Sequence, residues 1–208
     1  ALVLVLSPMT VAKADSGTNN VNTADNSCHF AITSLFSAKG YDVAALGAGS
    51  YLDWGSSPNS YLPANVQYVN VLRLRNGWYD DTLATLADRV NAQKGTGAVW
   101  IVGNEPDDRY IPEASLQQDS ITPDDYAQRF YTVATQIRSL DPTAKIGFGT
   151  IVQPAPVRLA YLDRVVQKLS DLAGGQQQAF ALIDLFTPHA FNLNEDPGSW
   201  GSGIPLGM

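Results

Sequence analysis

The residues best suited to chemistry are Asn104 and Glu105, which directly follow an apolar run at residues 97–103. The run is rich in β-branched and aromatic side chains, and its length is typical of a strand buried on both faces. A carboxyl group beside an apolar strand end can stay protonated near neutral pH, as a general acid requires. The neighbouring amide can bind a substrate hydroxyl. We therefore predict acid/base chemistry at Glu105, with a structural glutamate that caps the next turn as the alternative.

Polar and aromatic side chains also follow the other predicted strands, and parallel strands bring their carboxyl ends to one edge of a sheet. Indole rings offer flat apolar faces that suit the C–H faces of sugars, whereas short amides and carboxylates suit hydroxyl groups. The candidate substrate-binding residues are Asn104, Asp53, Trp54, Arg73, Trp78, His189 and Asn192.

Several of these candidates have a structural alternative. For Trp54 and Trp78 the alternative is core packing, which is the commoner role of tryptophan. Arg73 can form an ion pair with Glu105 or Asp53 without touching a substrate.

The alternative for His189 is a hydrogen bond that only holds the scaffold. We expect Asp107 and Asp108 to be solvated loop acids, and Glu195 to lie in a polar loop without a catalytic part.

The elements that must position these side chains alternate along the chain. Strands are predicted at residues 43–52, 67–74, 97–103, 145–148 and 180–187, and helices at 80–94, 122–140 and 157–172. The buried stripe predicted for the last helix is Leu159, Leu162, Val166 and Leu169. Such alternation implies an α/β fold with a parallel sheet. Since a (β/α)8 TIM barrel takes roughly 250 residues, we expect an incomplete barrel with about five strands.

Domain boundaries follow from composition. Residues 1–14 are similar to the rear of a secretory signal peptide, with an apolar core leading to Ala12-Lys13-Ala14. A buried strand or a membrane anchor is the alternative, but the apolar run is too short to span a bilayer. Residues 15–40 form a polar linker and N-terminal segment, and residues 41–208 form the partial barrel. We expect a secreted, monomeric protein with no membrane insertion of the mature chain.

Composition disfavours several classes of function. The 208 residues carry a net charge of −7 without any basic run, so nucleic acids and anionic membranes are poor partners. No glycine-rich phosphate loop is present, and His29 and His189 lack the spacing of metal ligands. We therefore predict no metal and no cofactor. A metal-dependent hydrolase on a similar barrel is the disfavoured third class of function.

The segment at residues 100–106 (WIVGNEP) resembles the Asn-Glu-Pro signature of the retaining (β/α)8-barrel glycoside hydrolases of clan A. Residues 141–145, 187–191 and 199–201 are similar to segments of the catalytic-core group that includes β-1,3-glucanases. The resemblance covers about residues 44–208. It implies that Glu105 is the acid/base and that Asn104 binds the sugar 2-hydroxyl of a β-linked polysaccharide.

The resemblance also raises two expectations about the barrel. In the clan the Asn-Glu pair follows the fourth strand, whereas we count three. Either a strand before Gly77 has been merged or missed, or the barrel differs from that of the clan. The clan's nucleophilic carboxylate lies on the seventh strand, which we expect beyond Met208, so this polypeptide alone should be inactive. The alternative function is a carbohydrate-binding pseudoenzyme on the same barrel, in which the groove holds glycan without cleaving it.

Overall fold

The computed structural model describes residues 31–34, 45–56, 58, 66–109, 118–196 and 201–208. The strands within these ranges are β1 (Ala31–Thr33), β2 (Ser50–Leu52), β3 (Gln67–Leu72), β4 (Val99–Val102), β5 (Lys145–Phe148) and β6 (Leu185–Phe186). The helices are α1 (Tyr79–Ala92), α2 (Pro123–Leu140), α3 (Pro156–Ala173) and α4 (Gln176–Phe180). The predicted signal remnant at residues 1–14 and most of the predicted linker lie outside the described residues.

The six described strands form one parallel sheet in chain order, curled into a half-barrel. Each strand from β3 onward is joined to the next by helix, as right-handed βαβ units require. The order of the strands never reverses, so successive crossovers place their helices on the same side of the sheet. The prediction of an α/β fold with a parallel sheet is confirmed.

Strand register separates two faces. Val71, Ile101 and Gly147 are aligned across β3, β4 and β5 and face the concave side, while their neighbours along each strand face the helices. The outer side chains pack with α1, α2 and α3 into one core; those of the sheet are Leu72, Trp100, Val102, Ile146 and Phe148, all of them fully buried. This alternation leaves the concave face to build the site.

Helix α2 begins and ends where its sequence predicts. The Thr122 hydroxyl accepts a hydrogen bond from the backbone N–H of Asp125 at 3.2 Å, and Pro123 occupies the first turn. Its buried side chains recur at helical spacing and fill the core between the sheet and α3; they are Tyr126, Ala127, Phe130, Val133, Ala134 and Ile137. Helix α3 ends at Gly174, whose φ of +81° suits a glycine.

The structure corrects four expectations about the elements. The sheet has six described strands rather than five, because Ala31–Thr33 pairs with β2. Glu105 therefore follows the fourth described strand and not the third. The strand predicted at residues 180–187 is mostly the end of α4 and a turn, with only Leu185–Phe186 in the sheet.

The fourth correction concerns the face that α3 buries. The fully buried side chains are Arg158, Tyr161, Val165 and Leu169, whereas Leu159 is 42% exposed. Leu162 and Val166 are half-buried at the edge of the core. The first three positions of the predicted stripe are thus displaced by one residue, where Arg158 turns inward to charged partners, and the prediction for Leu169 is confirmed.

Among the described residues, no helix combines the length and the apolar character that crossing a membrane requires.

Candidate functional site

The loop after β4 turns the chain sharply toward the concave face. Gly103 has a φ of +95° and Glu105 a φ of +46°, so both residues adopt the left-handed region. The Glu105 backbone N–H donates to the Thr150 carbonyl at 2.8 Å, which fixes this loop to the end of β5. The Glu105 side chain is buried and lies at the rim of the half-barrel.

A histidine from the end of β6 contacts this carboxylate. His189 Nδ1 lies 2.7 Å from Glu105 Oε1, which is within hydrogen-bonding distance. The His189 backbone N–H donates to the Ile151 carbonyl at 2.8 Å, and the ring packs edge-on against Phe191. The structure thus joins two candidates that lie 84 residues apart in the sequence.

A cavity of about 370 Å³ opens on the concave face beside His189, and Glu105 is not among the described residues that line it. Its floor consists of inward-facing strand residues, and its rim consists of residues that follow the strand ends. The described residues that line it are Thr33, Leu52, Trp54, Val71, Ile101, Asn104, Thr150, His189, Ala190 and Phe191. Three predicted substrate-binding residues, Trp54, Asn104 and His189, therefore meet at one cavity.

Trp54 contributes a polar group as well as its ring. The residue has a φ of +64°, and its indole N–H is buried without a hydrogen-bond partner in the part of the chain that the structure describes. A buried donor without a partner is costly, and a ligand hydroxyl would satisfy it.

Asp119 clamps the ends of β3 and β4, a role that the sequence did not indicate. Its Oδ2 accepts hydrogen bonds from the backbone N–H of Leu74 at 3.0 Å and of Asn104 at 2.8 Å. Its Oδ1 accepts from Arg73 Nε at 2.9 Å. The structural alternative for Arg73, an ion pair, is therefore present, but its partner is Asp119 and not Glu105 or Asp53. A partner 46 residues away leaves no local signal in the sequence.

The remaining candidates lie elsewhere on the same edge. Asp53 accepts hydrogen bonds from the Tyr68 hydroxyl and from the backbone of Gly55. Trp78 is 49% exposed and precedes α1, with the guanidinium groups of Arg73 and Arg75 at 5.7 and 5.5 Å from its ring.

Asn192 is exposed. Neither it nor Asp53 nor Trp78 is among the described residues that line the cavity.

Asp107 is a buried ion-pair partner rather than a solvated acid. It is fully buried, and its Oδ2 lies 2.8 Å from Arg158 Nη1. Burial raises the pKa of Asp107 to about 6, although the Arg158 guanidinium and the backbone N–H of Val152 act in the opposite direction. The prediction failed because Arg158 comes from α3, far along the chain.

Asp108 is also less exposed than predicted. The Ser202 hydroxyl donates a hydrogen bond to its Oδ1. Burial raises the pKa of Asp108 despite that hydrogen bond, and the negative charge of Glu105 raises it further. A second carboxylate therefore lies within electrostatic reach of Glu105.

Within the described ranges, no three His, Cys, Asp or Glu side chains are grouped as a metal site would need. The chain matches no family model, no curated protein and no solved structure.

Proposed function

We propose that the protein is a secreted retaining glycoside hydrolase with a (β/α)8 barrel of the clan A type, which cleaves O-glycosidic bonds of a β-linked polysaccharide. Glu105 is its general acid/base. The observation that carries the proposal is the buried Glu105 carboxyl, whose hydrogen-bond partner His189 lines an open cavity at the carboxyl ends of parallel strands. Barrel enzymes keep their catalytic groups at this end.

The number of strands supports the proposal. The Asn104–Glu105 pair follows β4, and β1 at Ala31–Thr33 accounts for the strand that was missed in the sequence. Counted over the described strands, the position of the pair agrees with the family that residues 100–106 resemble.

The geometry around Glu105 suits proton transfer. His189 contacts Oε1, and we assign the proton that Glu105 transfers to Oε2. In the first step Glu105 gives its proton to the leaving oxygen while a second carboxylate attacks the anomeric carbon and the C–O bond breaks. In the second step Glu105 takes a proton from the water that releases the sugar. The second carboxylate must lie roughly 5–5.5 Å from Glu105, and we assign it to no described residue.

The cavity offers groups that suit a sugar. Trp54 and Phe191 present aromatic surface, and the Trp54 indole N–H can donate to a hydroxyl. Asn104 lies beside Glu105 on the same rim, where its amide can bind the 2-hydroxyl next to the scissile bond.

Binding tests the site without requiring turnover. Calorimetry with β-1,3-linked gluco-oligosaccharides should give the same Kd within about threefold for the wild type and Glu105→Gln. Ile101→Trp fills the cavity floor and should weaken binding at least tenfold. Equal binding by all three proteins would show that the glycan does not occupy this cavity.

Rate measurements test the role of Glu105 in the protein that carries both carboxyl groups. Glu105→Gln should lower kcat by a factor of about 10² to 10⁴ with oligosaccharide binding retained, because only proton transfer is lost. Parallel loss of rate and binding would identify a structural glutamate. Glycan binding without hydrolysis by the wild type would establish the carbohydrate-binding alternative.

A further inference from the structure

Arg158 makes contacts with three separate segments at the rim. It lies in the first turn of α3 and is fully buried. Its Nη1 donates to Oδ2 and to the backbone carbonyl of Asp107, each at 2.8 Å. Its Nε and Nη2 donate to Glu195 Oε2 at 3.0 and 2.8 Å, and Nη2 also donates to the Gly203 carbonyl at 3.0 Å. One guanidinium therefore connects the loop after β4 with the loops after β6.

The two carboxylates that bind Arg158 are close in sequence to the proposed site. Asp107 is two residues beyond Glu105, and its Oδ1 also accepts from the Val152 backbone N–H at 3.1 Å. Glu195 follows His189 by six residues in the chain.

Gln153 fastens the segment between His189 and Glu195 at two points. Its Nε2 donates to Glu195 Oε1 at 2.6 Å and to the Leu193 carbonyl at 2.9 Å. Its Oε1 accepts from the Leu193 backbone N–H at 2.6 Å. The chain on either side of the Glu105–His189 contact is thus held by one group of polar side chains.

Stability alone does not require this arrangement. A buried ion pair is often no more stable than apolar side chains of similar volume, because both charges lose their hydration. Unlike an apolar side chain, a guanidinium fixes the positions of the groups that accept its hydrogen bonds, since its five donors have a rigid geometry. The hydrogen bonds of Arg158 hold Asp107 and Glu195 at set positions relative to each other.

We infer that Arg158 is a positioning residue, which holds the loop of Glu105 in register with the loop of His189 and so maintains the hydrogen bond between them. The effect of Arg158 on catalysis rests on the proposed function. The dependence of the His189–Glu105 hydrogen bond on Arg158 does not. A shift of about 1 Å between reacting groups can cost a factor of about 100 in rate, so this register matters.

Histidine NMR tests the inference, because the chain has only two histidines. In a His29→Gln background with ¹⁵N-labelled histidine, the wild type should give a resolved Nδ1–H signal of His189, which Glu105→Ala removes. Arg158→Met should lose at least half of this signal with its circular dichroism unchanged. Arg164→Met, an exposed site on the same helix, should keep it. Full signal intensity in folded Arg158→Met would overturn the inference.

Gln153→Met provides the second variant if Arg158→Met does not fold. It removes the ties to Leu193 and Glu195 without changing a charge, and should also weaken the signal; an undiminished signal there would overturn the inference. In rate measurements Arg158→Met should lower kcat tenfold to a hundredfold with KM within twofold. Normal turnover by Glu105→Gln would contradict the proposed function but would not affect the NMR result.

Discussion

The two faces of the sheet differ in what covers them, although the same strands supply both. On the outer face Trp100, Ile146 and Phe148 are fully buried against the helices. On the concave face Val71 and Ile101 border an open cavity, and the polar side chains of Asn104, Thr150 and His189 also line it. Side chains alternate along a strand. One of two adjacent residues therefore packs in the outer core, and the other faces the cavity. Substitutions on the two faces should therefore have different consequences.

The largest difference in stability should appear between matched isoleucines. Ile146→Ala removes a fully buried side chain from the outer core and should cost about 4 kcal/mol of unfolding free energy. Ile101→Ala makes the same change on the concave face, where the side chain is half-buried, and should cost about 1 kcal/mol. Urea denaturation measures both. Equal losses would mean that the concave face is packed as tightly as the outer one.

Protein stability should depend on pH through Asp107, which lies at the rim where the two faces meet. The pKa of Asp107 is about 6 in the folded protein against an ordinary 3.8, so the folded state binds more protons between these values. The stability of the wild type relative to Asp107→Asn should therefore fall as pH rises from 4 to 7, by up to about 3 kcal/mol. Urea midpoints of both proteins at the two pH values give this difference.

Asp184 provides a control of opposite sign. Burial works against it, but the Arg138 guanidinium lowers the pKa of Asp184. The stability of the wild type relative to Asp184→Asn should therefore be lost only as pH falls below about 4. A relative stability of Asp107→Asn that does not change with pH would contradict the raised pKa of Asp107.

The smallest of these effects concerns two glycines. A methyl group at Gly103 would lie 2.9 Å from Tyr126 in the outer core, at a φ of +95°, so Gly103→Ala should cost about 2 kcal/mol. At Gly147 the nearest atom is a methyl of Thr187 at 3.2 Å on the concave side, where side chains can yield. Gly147→Ala should therefore cost less than about 1 kcal/mol. Thermal unfolding compares the two, and the reverse ranking would contradict the assignment of faces.

Local signals in the sequence predicted much of the fold. The capping pattern of Thr122 and Pro123 located α2, and the residues 145–148 predicted as a strand are β5. The apolar run before Glu105 likewise became a buried strand. Each of these features is encoded within a few residues of where it acts, so periodicity and capping were sufficient.

The errors arose where a residue's environment depends on distant partners. Arg158 turned inward, and Leu159 outward, because Asp107 and Glu195 approach from loops 51 and 37 residues away. Strand β1 has three residues, and its pairing with β2 gives it order that its own composition does not predict. The site followed the same rule: the sequence indicated Glu105 and His189 separately, and only the sheet topology brings them together.

The left-handed backbone at Glu105 has an evolutionary consequence. Glycine or asparagine adopts a φ of +46° more readily than glutamate, by roughly 1 kcal/mol. Under the proposed function, selection on the carboxyl group keeps glutamate at this position, although glycine or asparagine there would be more stable. Relatives that lack the proposed activity are therefore expected to carry glycine or asparagine at position 105 more often than active relatives do.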